Sequence, residues 1–378
     1  MAVYPFASVL SIVLPPRWDV ARHHPSVKSF NYMESAKITV PGVRIRGNSV
    51  AAWCSMHLLA KAGFAPEMER TSRPRLPAIM LSEGALWLIR DVFDGPDLFR
   101  SSHRITKRVV QWGRGAEPMV FDHAANVVSE RDLLSELEQV QEAGPAPGPQ
   151  SAASFTIFAS RPLPDGPIEH CFGSRTAFAA PVRLKDWRDS ASCWIESLED
   201  GWLFLIPNAA ESGWLLSVGC SRQALGERSR LIGERIASLG ETAGEFSTSP
   251  RIVSPICGAG WLACGTAGMA FDPICGDGTA HAVREAILAA AVVKAISVGE
   301  DEAPLLRHYE ARLVAGFQRH LMTSTDFYRL GNSGPWWDHE LALAGRGLEW
   351  CASRANHLGP FRYRLSGFEL LSIDKSPA

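Results

Sequence analysis

From Val43 onward apolar and charged residues alternate as Val-Arg-Ile-Arg, and this two-residue period predicts a strand. After Gly47 the spacing turns helical through VAAWCSMHLLAK and stops at Gly63, so Val43–Phe64 reads as strand, tight turn and amphipathic helix. A second helical run, SERDLLSELEQVQEA, leads into EAGPAPGPQSAAS (Glu142–Ser154), whose Pro, Gly and Ala make it a linker or crossover. Short β-rich runs follow: SFTIFAS, TAFAAPVRL, SCWIESL, GWLFLIP and GWLLSVG. The polar NAAES between the last two predicts a hairpin, and the group as a whole predicts an antiparallel sheet. From Pro250 the pattern becomes strand, glycine bend and helix. After Glu300 it is mainly helical, with a Trp-rich loop, GNSGPWWDHE.

These elements predict an α/β fold, in which a discontinuous Rossmann-like nucleotide-binding domain carries an inserted antiparallel β-sheet domain and a C-terminal helical segment. The expected boundaries are 1–36 for a weakly structured N-terminal extension, 37–70, 116–150 and 250–320 for the nucleotide domain, 71–115 and 151–249 for the inserted substrate domain, and 321–378 for the helical segment. Translation starting at Met33 rather than Met1 fits that extension.

Composition narrows the partners. The chain has 378 residues, 46% of them hydrophobic, and can bury a large core. A formal charge of -2 without long like-charge runs gives no electrostatic case for nucleic acid or a membrane surface, and points to a small, largely uncharged partner. No run approaches the roughly twenty apolar residues of a membrane helix, and the opening MAVYPFASVLSIVLPP lacks the basic residue of a signal peptide. The eight cysteines form no C-x-x-C pair, and no histidines cluster at metal-ligand spacing. Reduced, buried thiols in the cytoplasm and no metal are the expectation.

Two glycine bends carry the candidate chemistry. The first is a worn form of the dinucleotide fingerprint G-x-G-x-x-G, with Gly47, Ser49 and Ala52 in the glycine places. The helix start at Ser49–Ala51 offers free N–H groups to a pyrophosphate, and Glu69, with Glu67 beside it, stands where a carboxylate would accept bonds from a ribose. The same turn reads equally well as close strand–helix packing without a nucleotide. The second bend is ACGTAGMAFDPICGDGTAHA (Ala263–Ala282), four glycines ahead of an alanine-rich helix. Gly276 and Gly278 at that helix's start leave room for a planar ring against backbone N–H groups, where the helix dipole favours negative charge.

GWLACGTAGMAFDPICGDGTAHA resembles the flavin-binding segment of the flavoprotein monooxygenase and tryptophan-halogenase superfamily, with its p-hydroxybenzoate hydroxylase-type fold. The superfamily pattern is a Gly-Asp pair, then Asp-Pro, then G-x-G, and Gly265, Asp272, Pro273, Gly276 and Gly278 match it. The layout looks most like the LodB-type flavoproteins that mature tryptophylquinone amine oxidases. The resemblance implies FAD as cofactor, held at Gly47, Ser49, Ala52, Glu69, Gly265, Thr266, Asp272, Pro273, Gly276, Gly278 and Thr279. Thr266 replaces the aspartate that bonds the ribityl chain in the superfamily, which weakens the expected grip by about 1.5–3 kcal/mol.

The halogenase signature W-x-W-x-I-P reads Trp202-Leu-Phe204-Leu-Ile206-Pro207, without its second tryptophan, and the halogenase lysine aligns near Arg104, with Lys107 close by. The resemblance therefore implies hydroxylation through a peroxyflavin on an aromatic substrate, an indole or a peptidyl tryptophan, rather than halide oxidation. NAD(P)H or a separate flavin reductase would supply electrons. Arg104, Trp202, Phe204, Trp336 and Trp337 are the candidate substrate contacts, the aromatic ones reading equally as core. His281 and His103 are candidates of the same two-sided kind, and Cys275 reads as a buried, unreactive thiol. Two other classes stay open: a geranylgeranyl-reductase-like enzyme and a non-catalytic binding protein on the same scaffold.

Overall fold

The computed structural model describes residues 42–142, 153–220 and 228–373. The expected N-terminal extension, Met33 and most of the Glu142–Ser154 linker lie outside them. The described chain is a mixed α/β fold built on two principal sheets, with a smaller three-stranded sheet and a C-terminal hairpin.

Gly42–Arg46 forms the expected first strand because Val43 and Ile45 point into the core. It pairs in parallel with Glu67–Glu69 on one side and Ala153–Phe158 on the other. Trp261–Ala263 continues the parallel order, and Cys257–Gly258 closes that edge antiparallel. Helix α1 (Val50–Lys61) starts at Ser49, whose hydroxyl accepts from the Ala52 N–H at 3.3 Å. The later helices are α2 (Glu83–Val92), α3 (Glu130–Glu142), α4 (Gly278–Ser297), α5 (Glu302–Arg329) and α6 (Pro335–Leu358). Ala280, Ala286, Ala289 and Ala290 give α4 a low-profile face, which allows it to lie against α1 over the parallel sheet. The Tyr309 hydroxyl of α5 donates to the Ala263 carbonyl at 2.8 Å and fixes α5 to the last parallel strand.

The second sheet has nine strands, with the expected hairpin Gly201–Pro207 and Ser212–Val218 near its centre. Met119–Val128 belongs here rather than with the parallel strands to which 116–150 was assigned, because it pairs antiparallel with His103–Gln111 and Ile79–Ser82. The segment expected to be helical after 321 also includes a hairpin, Tyr363–Ser366 with Glu369–Ser372. One face of the nine-stranded sheet packs on Ile274, Cys275, the end of α5 and Trp337 of α6. Among the described residues no helix is long and apolar enough to cross a membrane.

Candidate functional site

The two glycine bends meet behind the parallel sheet's carboxyl edge. Gly47 has φ +145°, and a Cβ there would stand 3.0 Å from the Ala159 carbonyl carbon, so this turn admits only glycine. Gly265 has φ +56°, and its Cβ would reach 2.9 Å from the Ala51 Cβ. The second bend is thus pressed directly onto the start of α1. Helix geometry leaves the first N–H groups of α1 without intrahelical acceptors. Arg75 donates to the Asn48 carbonyl at 2.8 Å, which adds a positive charge beside that helix start. Glu69 ends its strand next to Gly47, whose N–H donates to the Glu69 carbonyl, while its carboxylate pairs with Arg46 at 3.0 Å.

Thr266 is exposed, and its carbonyl accepts from Arg251 at 2.9 Å. Behind it lies Glu285 of α4, fully buried, accepting from the Gly265 N–H at 2.6 Å. Burial pushes this carboxyl up to about 8, against the pull of that one hydrogen bond, and its second oxygen has no partner.

The Asp272–Gly278 turn is held differently. Asp272 accepts from the Ile274 N–H and pairs with Arg175 at 2.6 Å; its own N–H donates to His320. Arg175 also meets Glu340 of α6 at 3.2 Å, and Glu340 accepts from the Ser174 hydroxyl at 2.6 Å. This buried ionic cluster fixes the turn from behind: burial opposes charge on Arg175, but the neighbouring Tyr328, Asp272 and Glu340 outweigh it and raise its pKa. Burial lowers His320 to about 3, so it is a neutral acceptor. Gly276 adopts φ +65°, and Pro273 is the first residue of the short turn that ends there. A Cβ on Gly278 would meet no atom within 4 Å, so the helix start opens onto free space, with Thr279 next in the first turn. His281 stacks on Phe271 at 4.2 Å and reaches Asp277 at 3.2 Å.

The aromatic candidates are mostly committed to packing. Trp202 donates to the Tyr328 hydroxyl at 3.1 Å and Trp337 to the Leu198 carbonyl at 3.1 Å; both are buried, as is Phe204. Trp336 covers Gly219, where a Cβ would reach its ring at 2.4 Å. Arg104 and Lys107 are exposed, Lys107 pairing with Asp122, and His103 bonds the Ser190 carbonyl. The residue of that strand facing the glycine turn is Arg108, only 6% exposed, with Nη2 lying 3.5 Å from where a Gly276 Cβ would be.

Three groups at the site have no counterpart in the sequence expectations: Arg75, Arg108 and Glu285. Arg75 in RPRLP carried a signal, a cation after a ribose-type carboxylate, while Glu285 sits beside Arg284 in α4 and carried little. Arg108 carried none. All eight cysteines are unpaired, and Cys171 alone is exposed. Among the described residues no group of three or more His, Cys, Asp or Glu could hold a metal.

No protein-family model matches the chain, and no curated protein matches it. Solved structures do. The peptidyl tryptophan dihydroxylase QhpG, essential for tryptophylquinone cofactor biogenesis, aligns over 79% of this chain and 78% of its own, with 15% identity and a TM-score of 0.63. The flavin-dependent halogenase CmlS aligns over 85% of this chain and 72% of its own, at 16% identity and a TM-score of 0.65. The p-nitrophenol 4-monooxygenase PnpA from Pseudomonas putida DLL-E4 aligns over 88% and 99%, at 13% identity and a TM-score of 0.59. The chain shares its fold with these three structures.

Proposed function

We propose that the protein is an FAD-dependent monooxygenase acting on an aromatic substrate, an indole or a peptidyl tryptophan. One observation carries this reading: α4 begins at a glycine with open space in front of it, on a segment whose other bend is pressed onto the α1 helix start. A dinucleotide with its pyrophosphate at α1 and its ring at α4 uses both ends of that segment. The parallel sheet would form the FAD unit and the nine-stranded sheet the substrate unit.

FAD would supply activation of dioxygen, one atom going to the substrate and the other to water, with two electrons from NAD(P)H or a separate flavin reductase. The chain's own contribution is binding and exclusion of water. The N–H groups at Ser49–Ala51 and the Arg75 guanidinium favour the pyrophosphate, and Glu69 accepts from a ribose. Gly265 and Thr266 border the ribityl chain. Asp272 and Pro273 set the turn, and Gly276, Gly278 and Thr279 face the ring edge. The apolar face carrying Trp202 and Phe204 keeps water from the reacting side. Unpaired, mostly buried thiols suit a reducing compartment such as the cytoplasm.

Saturating FAD should raise the melting temperature by mass action and should lose fluorescence on binding. If neither happens, the flavin reading fails. A second reading, a non-catalytic binder on the same scaffold, draws support from Thr266, exposed where the superfamily has a carboxylate, and from Ser49, whose hydroxyl is spent on capping α1. It predicts that saturating FAD gives neither a thermal shift nor fluorescence quenching.

A further inference from the structure

Arg108 is a buried cation without a counter-ion. Its strand, His103–Gln111, presents it to the face of the nine-stranded sheet that packs on the Ile274–Cys275–Gly276 turn. It is 6% exposed. Its Nη2 contacts His123 Nε2 at 3.1 Å, and its Nε has no partner. Among the described residues no carboxylate lies within ion-pair distance of it, whereas the more deeply buried Arg175 has two, Asp272 and Glu340. The groups that face Arg108 are His123 and the Cys193 and Cys275 thiols, which burial pushes up and therefore keeps protonated. Burial and the charge of Arg108 lower His123 to about 4, so the imidazole brings no negative charge either.

An unpaired guanidinium in a low-dielectric site is costly, and a bound anion is the usual compensation. Arg also presents a fork that matches a carboxylate. Its position beside Gly276, two residues before the open start of α4 at Gly278, is on the nine-stranded-sheet side of that turn. We propose that the aromatic substrate carries an anionic group, a carboxylate or an equivalent oxyanion, which seats on Arg108. The location of the ring rests on the flavin reading above; the demand for an anion does not.

The test compares two nearly isosteric probes, indole-3-acetate and indole-3-acetamide, titrated into the full chain with and without FAD. The wild type should bind the acid at least about tenfold more tightly than the amide. Arg108→Met should abolish that preference and Arg108→Lys should keep part of it. The His123 imidazole, followed by NMR, should titrate higher with the acid bound, because a seated carboxylate offsets the guanidinium charge. Equal affinity for the two probes, or no binding of either, overturns the inference. So does an Arg108→Met protein that keeps the preference while the flavin midpoint potential moves, since the cation would then serve the flavin. If Arg108→Met does not fold, the acid and amide pair on the wild type decides alone. FAD binding is read separately by fluorescence quenching: bound FAD without acid preference sinks this inference only, and acid preference without FAD binding sinks only the flavin reading.

Discussion

Within Ala263–Ala282, the glycines at 265 and 278 look alike in sequence and are built for opposite reasons. At Gly265 the missing side chain is filled by protein: Ala51 stands 2.9 Å from where a Cβ would be, at φ +56°. At Gly278 the missing side chain faces nothing within 4 Å. The first glycine is demanded by the fold. The second is free of any packing demand the protein itself makes, because it lies exposed at the start of α4. The backing differs in the same sense. Gly265 leans on Glu285, a single buried carboxyl with one bond, whereas the turn before Gly278 leans on the Arg175, Asp272 and Glu340 cluster.

The largest effect should come from Gly265→Val, which combines left-handed backbone with overpacking against Ala51. A loss of about 2–5 kcal/mol in urea unfolding is expected, and a loss under about 0.5 kcal/mol would mean Gly265 is as open as Gly278. Gly278→Val should leave unfolding within about 1 kcal/mol of wild type while weakening FAD binding on the order of a hundredfold. Wild-type FAD affinity in that variant would make the second bend a packing feature and erase the contrast.

Glu285 gives the contrast a pH signature. Unfolded, this carboxyl ionises near its ordinary value of 4.5; folded, it holds its proton to about 8. Between those values the folded state binds more protons, so stability falls as pH rises, by up to about 1.4 kcal/mol per pH unit. Glu285→Gln should gain on the wild type across that window in melting temperature. Parallel pH profiles for the two proteins would show that the carboxyl is already ionised in the fold. The smallest effect concerns Thr266→Asp, which restores an exposed carboxylate beside the Gly265 bend. It should tighten FAD about tenfold in a fluorescence titration; unchanged affinity would place the ribityl chain elsewhere.

Much of the fold was legible because its signals are local. Val43 and Ile45 alternate with arginines, and GWLFLIP-NAAES-GWLLSVG pairs as written. The strand Ile79–Ser82 and helix α2 were not, since RPRLPAIMLSEG carries proline before them and a run too short for periodicity to decide. Arg108 was hidden for a different reason. A register shift between Ile105 and Lys107 breaks the alternation of its strand, so that Ile105 and Arg108, three positions apart, are both buried while Arg104 and Lys107 are exposed. Alternation read from the sequence puts Arg104 and Arg108 on the same side, and only the paired strand reveals the slip. The tryptophans could be recognised as aromatic surface for something, but whether that something was substrate or core depended on indole partners such as Tyr328 and Leu198, far away in sequence.

The cluster that backs the ring turn draws on three distant parts of the chain: Asp272 lies 97 positions beyond Arg175, and Glu340 lies 166 beyond Ser174. During synthesis the earlier parts emerge first. Arg175 and Asp272 can meet as soon as the second bend leaves the ribosome, but Glu340 belongs to α6, close to the end of the chain. Until α6 docks, the turn before α4 lacks its final support. On the flavin reading proposed above, a chain cut before α6 would hold a nucleotide's phosphates but seat its ring poorly.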